Sequence, residues 1–181
     1  MITSDSFPNT RSFLMSAAAA AAFALAPFSA SAQTPRCAAT AYTDPPRQVL
    51  HCADGLTITA EQGSAYRLVD RDRDGKPEAA ELSSRALLVE STPGKRGGRF
   101  QILTPHATAA VRGTVWAVDV SAARTSVFVR RGIVAVARPG SPETVALRAG
   151  EGIDVDATGG PLEVKRWSTE RATHLLARFG R

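Results

Sequence analysis

Between residues 56 and 155 the chain is a succession of short segments with β-like patterning, separated by turn residues. Residues 56–60 alternate apolar and polar side chains, whereas residues 86–89 are apolar on both faces, as in a central strand. Glycine and proline interrupt the pattern at residues 92–98 and 139–142. Strands spaced roughly 8 to 12 residues apart, without helical patterns between them, are typical of all-β architectures. We therefore predict an all-β domain of stacked short antiparallel strands, arranged as a sandwich or as a short solenoid-like stack.

The last segment of the chain has a helical period. Four apolar residues fall at positions i, i+3, i+4 and i+7, namely Ala172, Leu175, Leu176 and Phe179. This stripe predicts an amphipathic helix within residues 159–181. Trp167 precedes Arg171 by about one helical turn, so the indole ring and the guanidinium can stack. Two placements remain open, because the helix can pack across the sheet as a lid or lie as a basic helix on a membrane surface.

The N-terminal sequence is typical of a cleavable secretory signal peptide. Residues 13–25 form an apolar run behind a single basic residue, Arg11, and residues 30–32 (Ala-Ser-Ala) match the small-residue pattern of a cleavage site. Cleavage before Gln33 is expected, and the mature protein is predicted to be periplasmic or secreted. The alternative is an uncleaved anchor, but Pro27 ends the apolar run short of the roughly 20 residues that a bilayer span requires. We expect no transmembrane anchor after cleavage.

The chain contains two cysteines, Cys37 and Cys52. An even number of cysteines in an exported protein argues for a disulfide, and their spacing differs from the C-x-x-C of redox-active pairs. We therefore predict a structural bridge that clamps the N-terminal segment. The predicted organisation is a signal peptide at residues 1–32, a disulfide-clamped segment at residues 33–53, a β domain at residues 54–158 and the helical segment at residues 159–181.

The chain is basic, with 22 Lys and Arg against 17 Asp and Glu and a net charge of +5. In an exported protein this charge does not point to nucleic acid. An envelope protein or an anionic polysaccharide or lipid surface is the more plausible partner. The alternative is a charge that only keeps the protein soluble.

Residues 70–81 match the calcium-loop pattern D-x-D-x-D-G with an acid at position 12. Carboxylates at alternate positions of a turn can converge on one hard cation, and Gly75 permits the sharp bend. Three basic residues within the loop favour the alternative of a solvated, self-paired turn, and Pro77 and a preceding strand argue against an EF-hand proper. The candidate calcium ligands are Asp70, Asp72, Asp74, Lys76 through its carbonyl, Glu78 and Glu81.

The centre of the chain carries an ordered set of short motifs. Thr-Pro is followed by Val-Arg-Gly-Thr, then by a tryptophan with alternating valines, a Gly-x-Val turn and a Gly-Glu step. In this order the motifs resemble those of the FecR-like domain family, and the resemblance extends over residues 54–155. The matching positions are Thr104, Pro105, Val111, Arg112, Gly113, Thr114, Gly132, Gly150 and Glu151. These residues suit folding roles, such as an extended entry to a turn at Thr104 and a left-handed or crowded backbone position between two strands at Gly113.

The resemblance implies an exported, non-catalytic binding, sensory or scaffolding module of the bacterial cell envelope, with a part in envelope signalling. Two alternatives are a calcium-stabilised structural envelope protein and a secreted hydrolase. The hydrolase is disfavoured because His51, His106 and His174 lie far apart and no zinc-protease, nucleophile-elbow or phosphate-loop spacing is present. We therefore expect no enzyme activity.

Overall fold

The computed structural model describes residues 37–52, 54–92, 99–111 and 113–181. The predicted signal peptide and Arg112 of the central motif lie outside these residues. The described residues belong to one compact unit. They form thirteen strands and one helix: β1 (Cys37–Thr43), β2 (Pro46–Cys52), β3 (Leu56–Glu61), β4 (Ala65–Val69), β5 (Ala79–Ser91), β6 (Phe100–Leu103), β7 (Thr108–Val111), β8 (Val115–Val120), β9 (Arg124–Arg131), β10 (Ile133–Ala137), β11 (Thr144–Arg148), β12 (Glu151–Asp156), β13 (Lys165–Arg166) and α1 (Thr169–Ala177).

All the strands join one strongly curled sheet, and β5 belongs to both of its halves. The first half of β5 pairs with β4 and β6, and the sheet continues through β7 and β10 to β11. The second half of β5, from Arg85 onward, pairs with β3 and β8. This half extends to β1 on one side and to β13 on the other. Arg85 has a φ of 62°, which is unusual for a non-glycine residue and turns the strand between the halves.

The main core lies between the two halves of the sheet. Inward-facing side chains from both halves are almost inaccessible to solvent, among them Trp116, Phe100, Leu87, Ile102 and Leu147. The alternation of buried and exposed residues along β6 and β10 follows from the two-residue period of a strand. The predicted all-β class is confirmed. One pair, β5 with β6, is parallel and so differs from the predicted antiparallel arrangement. The apolar pattern predicts which face of a strand is buried, but it does not predict the direction of the neighbouring strand.

A second, smaller core lies on the outer face of the β1–β13 half, beneath α1. Leu175 and Phe179 are buried there against strand residues that include Ala117 and Phe128. Ser168 begins the helix as its N-cap, because its side chain accepts a hydrogen bond from the Arg171 backbone N–H. The helix therefore lies on the sheet as a lid.

Cys37 and Cys52 lie opposite each other on the first hairpin and are joined by a disulfide. The hairpin turns at Asp44 and Pro45, and the peptide bond between them is cis. β2 continues into the sheet by pairing with β3, so the clamped segment and the β domain share one sheet. Within the described part of the chain, no helix has the length and apolar character to cross a membrane.

Candidate functional site

A cleft of about 490 Å³ opens between the end of α1 and the outer face of strands β1, β2, β3 and β5. We call it the C-terminal cleft. Val49, His51, Thr57 and Thr59 face it because alternate residues of β2 and β3 point to the outer face. The remaining wall residues are Tyr42, Arg47, Gly55, Glu90, Ser91, Thr92, Arg131, Phe179, Gly180 and Arg181.

Three arginines give the C-terminal cleft a basic character. Arg181 pairs with Glu90 at 2.6 Å. Arg47 donates to the backbone carbonyls of Asp44 and Pro45, and its guanidinium stacks 4.4 Å from the centre of the Tyr42 ring. Arg131 is exposed at the end of β9 and lines the same cleft. The cleft therefore presents positive charge beyond what its single carboxylate side chain, Glu90, neutralises.

Hydroxyl groups and a histidine complete the polar lining. His51 Nδ1 lies 3.2 Å from Thr57 Oγ1, so the ring is oriented by its neighbour on β3. Thr59 is almost fully buried, whereas His51 is exposed. Guanidinium, hydroxyl and imidazole groups are hydrogen-bond donors to carboxylate and phosphate oxygens. This arrangement suits the binding of an anionic group.

The end of α1 is held beside the cleft by ion pairs. Arg178 contacts Asp119 at 2.8 Å and also contacts Glu61, and both carboxylates lie on the outer face of the sheet. Burial alone would lower the pKa of Arg178, but hydrogen bonds with the two carboxylates outweigh burial and raise it. The guanidinium therefore stays charged, and α1 is fixed across β3 and β8.

The acidic loop brings three of the six predicted calcium ligands together. Oxygen atoms of Asp70, Asp72 and Glu78 lie within 4.8 Å of one another. Asp70 Oδ2 accepts a hydrogen bond from the Gly75 N–H at 2.9 Å, and its Oδ1 is buried without a hydrogen-bond partner. Glu78 Oε2 accepts from the Arg71 N–H at 2.8 Å, which holds this carboxylate at the same end of the loop.

Two of the other predicted ligands, Asp74 and Glu81, have separate partners. Asp74 pairs with the Lys76 ammonium at 2.9 Å and also accepts the Lys76 backbone N–H. Glu81 lies on β5, where Arg67 contacts both of its carboxylate oxygens at 2.7 and 2.8 Å. The structure thus favours Asp70, Asp72 and Glu78 as ligands, and calcium binding by the loop stays a prediction.

The central motif residues serve the fold. Thr104 Oγ1 closes the turn between β6 and β7 through hydrogen bonds with both backbone groups of Ala107. Thr114 is fully buried, and its backbone exchanges hydrogen bonds with Ser91. Gly113 has a φ of 69°, which is the left-handed one of the two backbone roles predicted for it.

The later motif positions support neighbouring turns. Val111 is buried and pairs with both β6 and β10. Gly150 has a φ of 82°, and Glu151 accepts a hydrogen bond from the Arg148 N–H at 2.7 Å, closing the β11–β12 turn. Pro105 lies in the β6–β7 turn.

The three histidines lie in separate parts of the structure. His51 is on β2, His106 is in the β6–β7 turn beside Thr125, and His174 is on α1. Among the described residues, no two of them line the same cleft. The described residues therefore do not bring two histidines together, and the absence of enzyme activity stays a prediction.

Sequence reasoning missed the C-terminal cleft. Its arginines are 134 residues apart at the extremes, Arg47 and Arg181, and no local motif links them. The adjacent pair Arg130 and Arg131 was the one local sign of a basic surface. The sequence does not indicate that, of these two, only Arg131 lines the cleft at the end of α1.

The family model described as FecR protein matches residues 41–135. The match begins within β1, earlier than the predicted start of the β domain at residue 54. No curated protein sequence matches this chain.

Two crystal structures of a protein from Parabacteroides distasonis ATCC 8503, provisionally described as an anti-sigma factor, are similar in fold. At resolutions of 1.65 and 2.50 Å, each aligns with a TM-score of 0.59 at 20% sequence identity. Each alignment covers 77% of this chain and 64% of that one, less than two thirds of its length.

Proposed function

Because this chain belongs to the FecR family, we propose that it is an exported, non-catalytic binding module of the bacterial cell envelope with a part in envelope signalling. The observation that carries the proposal is the family match, which spans residues 41–135. The similar fold of a protein provisionally described as an anti-sigma factor supports a regulatory rather than an enzymatic role.

We propose that the module acts by docking an acidic surface of an envelope protein in the C-terminal cleft. The support is the set of arginines on its walls and the exposed position of Arg131. A basic cleft accelerates encounter with an acidic partner and aligns the two surfaces. Anionic polysaccharide and lipid surfaces are the alternative partners that the same charge would accept.

Charge-reversal variants in cells test this proposal. A photo-crosslinking residue at Thr57, inside the cleft, is expected to capture a discrete envelope protein. Arg131→Glu should abolish the product, because it reverses charge on the cleft wall. Arg130→Glu is the matched control, since Arg130 is adjacent and exposed but does not line the cleft. Absence of a crosslink, or equal loss in both variants, would refute docking in this cleft.

A second candidate function is that of a calcium-stabilised structural protein. The buried and unpartnered Oδ1 of Asp70, beside oxygens of Asp72 and Glu78, is the observation that favours it. Extracellular modules use such oxygen-lined loops at millimolar calcium. The two functions are compatible, since a metal in this loop would stabilise the β4–β5 connection without occupying the C-terminal cleft.

A further inference from the structure

Strand β1 stands at a free edge of the sheet. Its only strand partner among the described residues is β2. Apart from Cys37, which is half-buried, every residue of β1 is exposed. The strand therefore adds little to the core. Its outer edge carries backbone donors and acceptors that no other described strand pairs with, and such an edge is a template for pairing with another strand.

The other edge strands carry basic residues, which oppose pairing with another copy of this chain. Arg67 lies on β4, Arg148 on β11, and β13 consists of Lys165 and Arg166. In contrast, β1 reads CAATAYT and has no charged residue. Of the edges that the structure describes, β1 is the one a second copy could meet without like charges facing each other.

The register of the first hairpin defines which backbone groups point to the free edge. The Cα atoms of Cys37 and Cys52 are 4.1 Å apart, the spacing of a non-hydrogen-bonded antiparallel pair. At the other end of the hairpin, the Pro46 carbonyl accepts from Gln62 and so points towards β3, away from β1. Hydrogen-bonded and non-hydrogen-bonded pairs alternate along an antiparallel hairpin, so Ala39 and Ala41 also lie in non-hydrogen-bonded pairs. Their backbone N–H and C=O groups therefore point to the free edge.

We propose that two copies of this chain pair antiparallel through β1, with a twofold axis at Thr40. Ala39 of each copy then exchanges backbone hydrogen bonds with Ala41 of the other copy. Thr40 lies opposite its own counterpart in a narrow pair, where threonine pairs are favourable. The exposed ring of Tyr42 covers the small Ala38 of the second copy. This isologous contact closes on itself and yields a dimer rather than a fibre.

The contact is small, so the dimer is reversible. One strand pair buries less than the roughly 1,200 Å² of a standard interface. We expect mainly monomer at about 1 μM and mainly dimer approaching 1 mM in sedimentation equilibrium of the purified protein with its disulfide intact. A wild-type protein that stays monomeric at the higher concentration would overturn the proposal.

Engineered cysteines test the register. In the proposed dimer the two copies of Thr40→Cys have Cα atoms about 4.5 Å apart, within the range of a disulfide. The two copies of Ala38→Cys, the control, are offset by four residues, or roughly 13 Å, and are too distant to join. Thr40→Cys should give a reducible covalent dimer under mild oxidation, and Ala38→Cys should not. Equal yields of dimer from both variants, or none from either, would contradict the pairing.

A proline variant tests the edge itself. Ala41→Pro removes an outward N–H and leaves the hydrogen bonds between β1 and β2 in place, so the melting temperature should hold while the dimer is lost. Ala41→Val retains the N–H and should still dimerise. If Ala41→Pro dimerises like the wild type, the interface lies elsewhere. The substituted residues Ala38, Thr40 and Ala41 do not line the C-terminal cleft, and all three assays use the purified protein without a partner. Failure here is therefore distinguishable from failure of the proposed function.

Discussion

Gly132 shows how one motif residue is determined by its neighbour. Its φ is 93°, and a Cβ placed on it would lie 2.5 Å from the Thr114 Cγ2 atom. Thr114 cannot withdraw easily, because it is fully buried and its backbone is bonded to Ser91. The Gly-Thr and Gly-x-Val motifs, read separately along the sequence, are therefore one packing contact in the structure.

We predict that Gly132→Ala lowers the free energy of unfolding by about 2–5 kcal/mol, the sum of a left-handed backbone penalty and overpacking. Gly140→Ala is the matched control. Its φ is 74°, but no atom lies within 4 Å of the added Cβ, so only the backbone cost of about 1–2 kcal/mol applies. Urea denaturation measures both variants, and equal losses would show that Thr114 does not resist the methyl group.

Calcium at about ten times a millimolar dissociation constant should raise the melting temperature by roughly 3–5 °C, because it binds only the folded state. Magnesium should do less, since it requires a stricter ligand geometry. Asp72→Asn should remove the calcium effect. Glu81→Gln should retain it, because the Glu81 carboxylate is bound by Arg67. If calcium did not change the melting temperature of the wild-type protein, the acidic loop would be only a solvated turn.

The helix α1 depends on polar and aromatic contacts as well as its apolar stripe. Trp167 stacks on Phe128 with ring centres 5.0 Å apart, and Arg171 lies 3.6 Å above the indole. Gly152 makes room for that ring, because a Cβ there would meet Trp167 and would lie 2.7 Å from the Val127 carbonyl oxygen. The predicted stack of Trp167 with Arg171 is confirmed. The helix is therefore fastened to the sheet at both ends, by this stack and by Arg178.

We predict that Asp154 makes this attachment dependent on pH. Burial would raise the pKa of Asp154, but hydrogen bonds from Arg171 and Ser126 outweigh burial and hold it below its usual value. A carboxylate with a depressed pKa contributes stability that is present above its unfolded pKa and lost as pH falls through the folded one. The contribution of Asp154 should thus be constant from neutral pH to about pH 4 and decline below that.

Urea denaturation of wild type and Asp154→Asn across this range tests the expectation. The variant should be less stable at pH 7, and the difference should shrink below about pH 4. Glu143→Gln, on the exposed β10–β11 turn, controls for the loss of one negative charge. A difference between wild type and Asp154→Asn that does not change with pH would mean that Arg171 does not act through the ionised carboxylate.

At the scale of the whole molecule, β5 organises the architecture by serving both halves of the curled sheet. In contrast to β5, which lies at the centre of the sheet, the disulfide lies in the first hairpin, whose strand β1 is almost entirely exposed. The bridge joins β1 to β2 in register, with Cys52 buried in the main core and Cys37 packed against that core.

Reduction of the Cys37–Cys52 bridge should therefore loosen β1 and leave the core folded. The chain-entropy model gives at most about 3 kcal/mol for a loop of this length, and we expect less because β1 buries little. Hydrogen exchange should accelerate at Ala38 and Thr40 on reduction, while Leu87 and Val118 stay protected. Loss of protection throughout the sheet would show instead that the bridge supports the whole fold.

Export also concerns the whole chain. We predict that the mature protein begins at Gln33 and is recovered from the periplasm or the medium, because Ala30 and Ala32 suit signal peptidase. N-terminal sequencing of the protein isolated from its host measures this. Recovery of a chain that retains Met1 would revive the membrane-anchor alternative.

The sequence by itself determined the secondary-structure class, the C-terminal helix and the family. These properties can be read along the chain without knowing which distant segments become neighbours in space. Examples are the alternation along 56–60, the stripe ending at Phe179 and the order of the central motifs.

Only the tertiary structure decided the parallel pairing of β5 with β6, the C-terminal cleft and the free edge of β1. Each depends on which distant segments become neighbours. Arg47 and Arg131 share a cleft because β2 and β9 belong to the same half of the sheet. Glu81 does not join the acidic cluster, because it forms an ion pair with Arg67, which lies opposite it on the paired strand β4. Strand pairing depends on contacts between residues that are distant in sequence. The two-residue period of a strand predicts which face is buried, but it does not predict which strand pairs with it.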